Sequence, residues 1–324
     1  MSRALDKGVL EALRRDNPEL AYNDISRLFD SPRDDGLLLE IEFLGEGYPV
    51  APGATFLVEG NAVGIPKIRL FQAFSLAYRR FKGDDPQASR PQEDKQSLVE
   101  VLRPTAVLLL VDPEHLTAAN SRKREILGEI SQGGNVNACL QREKWALDSL
   151  LTSWLHRHTK SPVLWNHRRW LLSQFQKYGL PVDVPGEIRA VVLISGVRHP
   201  KNYYAWDHAR WLVRTFLGSK PDQEVAVLLR VIADVKGWCL AHRDDISGWT
   251  FLHFLLRRGG AELEGERAGV FRSVLQGAES PEDLLMLEEI GGRMFDGVRS
   301  GGSDTSNAEL AMRRFRILRE AQAS

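Results

Sequence analysis

The rhythm of apolar and polar positions changes near residue 100 of this 324-residue chain. Before that point, apolar stretches are short. Residues 37–43 and 56–59 read as extended segments, set off by Gly45, Gly47, Pro52 and Gly53. Residues 6–15 read as a short helix. Pro66 suits the first turn of a longer one, and Ile68, Phe71, Ala73, Leu76 and Tyr78 carry it to about Lys82. A polar linker is expected over 83–96. Helical apolar stretches then recur at 106–111, 140–155, 188–197 and 225–235. In the second, Leu140, Leu147, Leu151 and Trp154 fall at i, i+7, i+11 and i+14, one stripe of an amphipathic helix.

After each of these stretches comes a second, related segment. The four begin at Leu116 (LTAANSRK), Val163 (VLWNHRRW), Tyr204 (YAWDHARW) and Ser247 (SGWTFLHF), and Ala119, Trp165, Trp206 and Trp249 recur at intervals of 46, 41 and 43 residues. That is the period of a two-helix repeat. Pro113, Pro162 and Pro200 precede the first three segments as helix stops, and Gly133, Gly179, Gly218 and Gly259 follow the four as C-terminal caps. One helical hairpin cannot bury its own apolar stripe, so neighbours must stack on it. The pattern predicts an all-α fold, an α-α superhelix or solenoid of helical hairpins. The expected divisions are an N-terminal section over 1–65 with short strands, repeats over 66–260, and C-terminal helices over 261–324 that cap the stack. Within the last, residues 266–276, 281–295 and a face at Ala308, Ala311, Phe315 and Leu318 read as helices, with a hinge over 300–307.

Composition narrows the chemistry. The chain has 43 Lys+Arg against 43 Asp+Glu, so no basic nucleic-acid footprint is visible. The longest uninterrupted apolar run is 106–111, far short of the roughly 20 residues that a membrane span needs. Residues 1–20 contain no continuous apolar block of the kind a secretory leader requires, and a cytoplasmic location is expected. Cys139 and Cys239 lie far apart and read as buried thiols; no metal site is expected, since His156 and His158 stand two apart, a spacing that suits a helix face poorly. No nucleophile elbow, P-loop, dinucleotide fingerprint or His-Glu-x-x-His occurs. All eight tryptophans lie between Trp145 and Trp249, where hairpin must pack on hairpin.

The pattern Asn202-Tyr203-x-x-Trp206-x-x-x-x-Trp211-Leu212, with Trp165-Asn-His-Arg-Arg-Trp-Leu171, resembles the repeat of protein prenyltransferase alpha subunits. With 61–67, 117–123 and 160–165 added, the chain looks most like the prenyltransferase alpha-subunit repeat-containing branch. The resemblance covers about 61–256. Trp165 and Arg168 keep the family's Trp-x-x-Arg. The first unit has Ala119 for the Trp but keeps Arg122, and Ala209 and Leu252 replace the Arg in the third and fourth.

The resemblance implies an alpha subunit of a heterodimeric protein prenyltransferase. It would wrap a beta subunit and join in transfer of an isoprenoid, geranylgeranyl by analogy with this branch, to a C-terminal Cys of a small GTPase or trafficking protein. The chain would not be catalytic alone and would carry no cofactor; zinc would belong to the beta subunit. Its partners would be that subunit, a prenyl diphosphate at the shared interface and the protein substrate. Lys160 matches the family's lysine beside the diphosphate, although Lys160-Ser161-Pro162 stands where the family has Lys-Asn-Tyr, and Tyr203 matches an aromatic turn residue. These two are the implied catalytic groups. Arg168, Asn202, Tyr204 and His208 are expected to face a partner, and Trp165, Trp206, Trp249 and Arg122 to hold the repeats together. The alternative is a non-enzymatic helical-repeat scaffold or adaptor that binds a protein partner.

Overall fold

The computed structural model describes residues 17–45, 48, 51, 53–85, 98–217, 221–258, 263 and 265. The expected helix at 6–15, most of the 83–96 linker, Gly218, Gly259, the helices after 265 and the 300–307 hinge lie outside the described residues.

What is described is mostly helical, with a small three-stranded sheet near its start. Asn17 opens helix α1 (Pro18–Arg27): its side-chain oxygen accepts from the Glu19 and Leu20 amides at 3.0 and 3.3 Å, and Pro18 stands at N1. Strands β1 (Glu40–Leu44), β2 (Leu57–Glu59) and β3 (Ala62–Pro66) follow, in the order β1-β3-β2. β1 runs parallel to β3, pairing Ile41 with Val63 and Phe43 with Ile65, and β2 runs antiparallel to it. The first two strands fall where the sequence put them. β3 was not expected, because Gly64 and Pro66 in a five-residue run weaken a strand signal that the buried Val63 and Ile65 carry. The short strands expected in the N-terminal section thus form, among its described residues, a three-stranded mixed sheet preceded by a helix, more ordered than the irregular section the sequence suggests. Helix α2 (Lys67–Lys82) starts directly after Pro66.

The helical part consists of α3 (Leu98–Val111), α4 (Leu116–Ser131), α5 (Val136–Thr152), the single-turn α6 (His156–Thr159), α7 (Pro162–Lys177), α8 (Val184–Glu187), a π-helical stretch (Ile188–Leu193), α9 (Ile194–Arg198), α10 (Tyr203–Phe216), α11 (Pro221–Ala241) and α12 (Ile246–Arg258). α4, α7, α10 and α12 are the four segments that repeat in the sequence. Gly133 (φ 90°) and Gly179 (φ 71°) close α4 and α7 in the left-handed conformation, which costs glycine least. α5 ends at Thr152, so Trp154 leaves the stripe of Leu140, Leu147 and Leu151 and is exposed.

Backbone contacts divide the described residues into two compact units, one drawn from positions up to 183 together with 194–205, the other from 184–193 together with 206 onwards. In the first, α3 packs on α4, α5 on α7 and on β1, and α4 touches both α5 and α7. Its core includes Leu108, Leu110, Ile126, Leu140, Leu151, Leu164, Trp165 and Leu171. In the second, α11 packs on α12 and on the π-helical stretch. Trp206 and Trp249 are fully buried there. Trp206 meets the Trp238 ring edge-on at 4.9 Å and Phe251 at 5.5 Å. Gly248 is what lets α12 come this close: a Cβ there would stand 2.6 Å from the Trp238 ring and 3.2 Å from that of Trp206.

Candidate interaction rim

The repeat arginines of the first two units are both inside the protein. α5 lies against α4 and α7 and supplies an acid to each. The Arg122 guanidinium grips Glu143 through Nε and Nη2 at 2.9 and 2.6 Å, and its Nη1 donates to the Leu102 carbonyl at 2.7 Å. Arg168 Nε donates to Asp148 at 2.8 Å, and Lys144 reaches the other Asp148 oxygen at 2.6 Å. Burial alone would raise both carboxyls, yet Arg122 holds Glu143, and Arg168 with Lys144 holds Asp148, below the usual carboxylate range. Ala209 and Leu252, at the arginine position of the later units, are buried and apolar. An ion pair has given way there to plain packing, an exchange that is often neutral for stability.

The turns before the repeat helices are joined by side chains that do two jobs. Ser161 Oγ caps α7 by accepting from the Leu164 amide at 3.1 Å and donates to the Pro113 carbonyl, one repeat back, at 2.9 Å. Asn202 does the same one unit later, its Oδ1 accepting from the Ala205 amide at 3.3 Å and its Nδ2 donating to the Thr159 carbonyl at 2.7 Å. Thr159 O also takes the Trp165 indole N–H at 2.8 Å. Trp249 spans the same six residues back to Arg243 O, at 3.0 Å. In these two repeats the Trp locks the turn onto the helix that follows it, whereas the buried Trp206 indole N–H has no hydrogen-bond partner among the described residues.

Around these bonded turns an exposed rim remains. Lys160, at the end of α6, is exposed, and so is Tyr203, with 65% of its surface free; Tyr204 is half-buried and meets the Tyr203 ring edge-on at 5.7 Å. Because Asn202 bonds to Thr159, the turns bearing Lys160 and Tyr203 are fastened side by side. The exposed Trp154 lies under the Arg198 guanidinium at 3.7 Å, and Arg198 reaches Glu40 of β1 at 2.9 Å. The His156 and His199 rings stack with centroids 3.8 Å apart.

These positions redistribute the residues that sequence reasoning singled out. Lys160 and Tyr203 are exposed on turns joined by the Asn202–Thr159 bond, and the half-buried Tyr204 meets the Tyr203 ring. Arg168, Asn202 and His208, expected to face a partner, are buried: Arg168 is spent on Asp148, Asn202 on the turn behind it, and His208 packs beside Trp211, with ring centroids 5.3 Å apart. Trp165, Trp206 and Trp249 are core residues, and Arg122 is a buried ion-pair partner. Sequence reasoning read Trp154 as part of a buried stripe and weighed His156 only as a metal ligand, and it passed over Arg198 and His199. The matching histidines two positions before Lys160 and Lys201 are His158 and His199, and His158 turns to the α3 carbonyls, so that spacing does not point to the His156–His199 contact.

Behind the rim, His158 Nε2 lies 2.9 Å from the Leu110 carbonyl and 3.1 Å from that of Leu109, the free end of α3. Burial pushes its imidazole down to about 4, and that of His167 to about 3, so both stay neutral in the folded chain at pH 7. Unfolded histidines take up a proton below about pH 6.5. Stability is therefore expected to be complete above that pH and to fall as pH drops from there toward 4. Glu143 and Asp148 have depressed folded values, so their contribution is lost only below the unfolded carboxylate range near pH 4. Urea midpoints at pH 7 and pH 5 check this: the loss between them should shrink in His158→Gln, which keeps a donor for the carbonyls but no proton site.

Two comparisons bear on this arrangement. The family model of the ECM9 middle domain matches residues 156–272, which take in the turns at 156–161 and 199–204. Protein prenyltransferase alpha subunit repeat-containing protein 1 of Danio rerio is 38% identical over 84 residues, 26% of this chain and 16% of the zebrafish protein. The chain is distantly related to the prenyltransferase alpha-subunit repeat proteins. In the present chain Arg122, Arg168 and Asn202 are internal ties, and Lys160 and Tyr203 lie outside. Among the described residues no helix is long and apolar enough to cross a membrane, and no three His, Cys, Asp or Glu side chains gather as a metal site.

Proposed function

We propose that the chain is the alpha-type subunit of a heterodimeric protein prenyltransferase, a solenoid of helical hairpins that meets a catalytic beta-type subunit along the rim of its turns. The observation that carries this reading is the sorting of the family's motif residues. Those that tie repeat to repeat are buried, whereas Lys160 and Tyr203, at the family's diphosphate-side positions, are exposed on turns joined by the Asn202–Thr159 bond. Zinc and the isoprenoid pocket are assigned to the partner. What this chain adds is a fixed ammonium at Lys160 beside the departing diphosphate, where negative charge grows as the carbon–oxygen bond breaks. Tyr203 and Tyr204 are assigned to the walls of that shared surface, and the acceptor is a C-terminal cysteine of a GTPase or trafficking protein, taking a geranylgeranyl group.

The test is reconstitution with a beta-type subunit recovered by co-purification from native extract. Single-turnover transfer by the complex should fall roughly 30- to 1,000-fold in Lys160→Ala, the equivalent of about 2–4 kcal/mol in the barrier. Assembly should survive. Lys201→Ala serves as a same-charge control on the neighbouring turn, and equal small effects of the two substitutions would overturn the assignment. Transfer by the purified single chain, without a partner, would overturn it as well.

A second reading, a non-enzymatic adaptor, has one feature in its favour. Ser161 and Pro162 occupy the place of the family's Asn-Tyr, and Ser161 is committed to capping α7 and to Pro113, so this turn offers a lysine without its aromatic neighbour. Co-purification of a protein with no prenyltransferase barrel would favour that reading.

A further inference from the structure

The stacked imidazoles sit where the two rim turns meet, one on each. His156 opens α6 and is exposed; His199 ends the preceding helix's turn and is 7% exposed. His199 Nδ1 lies 3.1 Å from the Pro200 carbonyl, which fixes the proton on Nδ1 and leaves Nε2 with the lone pair. That Nε2 is buried without a hydrogen-bond partner among the described residues. The contact is therefore good for two neutral rings and bad for charged ones: a proton on Nε2 would be a buried donor with nothing to receive it, facing a second imidazole.

The surroundings sharpen the asymmetry. On the same turns stand Arg157, Lys160, Arg198 and Lys201. The acids near them are already engaged, Asp112 of the α3–α4 turn with Arg157 at 3.3 Å and Glu40 of β1 with Arg198 at 2.9 Å. On α5, which packs against α9, Asp148 is held by Arg168 and Lys144. His158, on the other side of α6, is turned to the carbonyls of α3. No carboxylate among these is left to welcome a proton on the pair. Burial, and then the neighbouring His156, depress the His199 imidazole below its ordinary range.

We infer that the His156–His199 stack is a proton-operated latch: in its neutral form it adds its hold to the bonds between the two rim turns, and uptake of a proton removes that hold and loosens them. This deepens the reading of the rim as a binding surface, because the stack adds to the Asn202–Thr159 bond in holding together the turns that carry Lys160 and Tyr203. The sign follows from the closed state's depressed affinity for protons. The latch is fully closed above the ordinary imidazole range near 6.5 and weakens as pH falls below it, by up to about tenfold per pH unit for each proton taken up.

The experiment uses the full chain without any partner, so its outcome is independent of the prenyltransferase reading. Histidine ring signals are followed by NMR from pH 8 to 5, together with hydrogen exchange of the Leu164 and Ala205 amides, which the turn caps Ser161 and Asn202 hold. The expected result is a low midpoint for His199. Cap-amide protection should fall several-fold between pH 7.5 and 5.5 after correction for intrinsic rates. His156→Phe keeps a flat ring over His199 and removes one proton site, so the fall should shrink. Titration of His199 at the ordinary imidazole value, or cap protection that does not change with pH in the parent chain, would overturn the latch.

Discussion

Trp206→Ala is expected to destabilise the chain by about 3–5 kcal/mol, the usual cost of removing a large core aromatic. The indole has no exposed surface, and its neighbours cannot close over the gap. Trp238 is held from the other side by its own indole N–H, which donates to the Leu193 carbonyl at 3.1 Å, and Phe251 belongs to a helix seated against it. A site whose lining is pinned collapses least, and cavity cost rises with the volume left behind. Denaturant unfolding of parent and variant measures the difference. Equal midpoints would mean that the repeat tryptophan is not a packing wedge, and the account of the repeat would fall with it.

Arg122→Ala should cost a similar amount, about 3–5 kcal/mol, for a different reason. The substitution removes a side chain that bonds Glu143 twice and satisfies the Leu102 carbonyl and Thr105 hydroxyl, all buried. It leaves a carboxylate in the core with its main counter-charge gone. The double variant Arg122→Met with Glu143→Leu separates the two contributions. If the penalty comes from the stranded acid, the double variant should recover most of the loss, as the later repeats suggest by having Ala209 and Leu252 at the arginine position. A double variant as unstable as the single one would show that the guanidinium is needed for shape. Calorimetric unfolding at pH 7 reads both.

Helices α4 and α7 were legible because three signals coincide there: the apolar stripe, a proline at or before the helix start (Pro113, Pro162), and a closing glycine in the left-handed conformation (Gly133, Gly179). The third strand was not, since Gly64 and Pro66 carry little strand propensity and pairing with β1 supplies what the run lacks. The π-helical stretch at Ile188–Leu193 was equally hidden, because an extra residue within an apolar run leaves the run apolar. The candidate site divides in the same way. A Trp and an Arg at i and i+3 share a helix face, which the motif states; whether that face meets water or another helix depends on acids far along the chain, and Glu143 and Asp148 look like ordinary polar positions in α5. The rim residues were legible only through family likeness, and the sequence could not say that Asn202 points inward while Tyr203, its neighbour, points out.

Ser161 and Asn202 each cap a helix and tie that helix to the turn one repeat back. In a nearest-neighbour description of a repeat protein, the stability of a single repeat and the energy of its junction with the next are separate quantities. Here one side chain contributes to both, so a repeat that loses its cap also loses its grip on its neighbour. Fraying that begins at one hairpin has no natural stopping point at the next. Within the first unit, the repeats should then melt as a block, with one cooperative transition, even though each looks in sequence like an independent module.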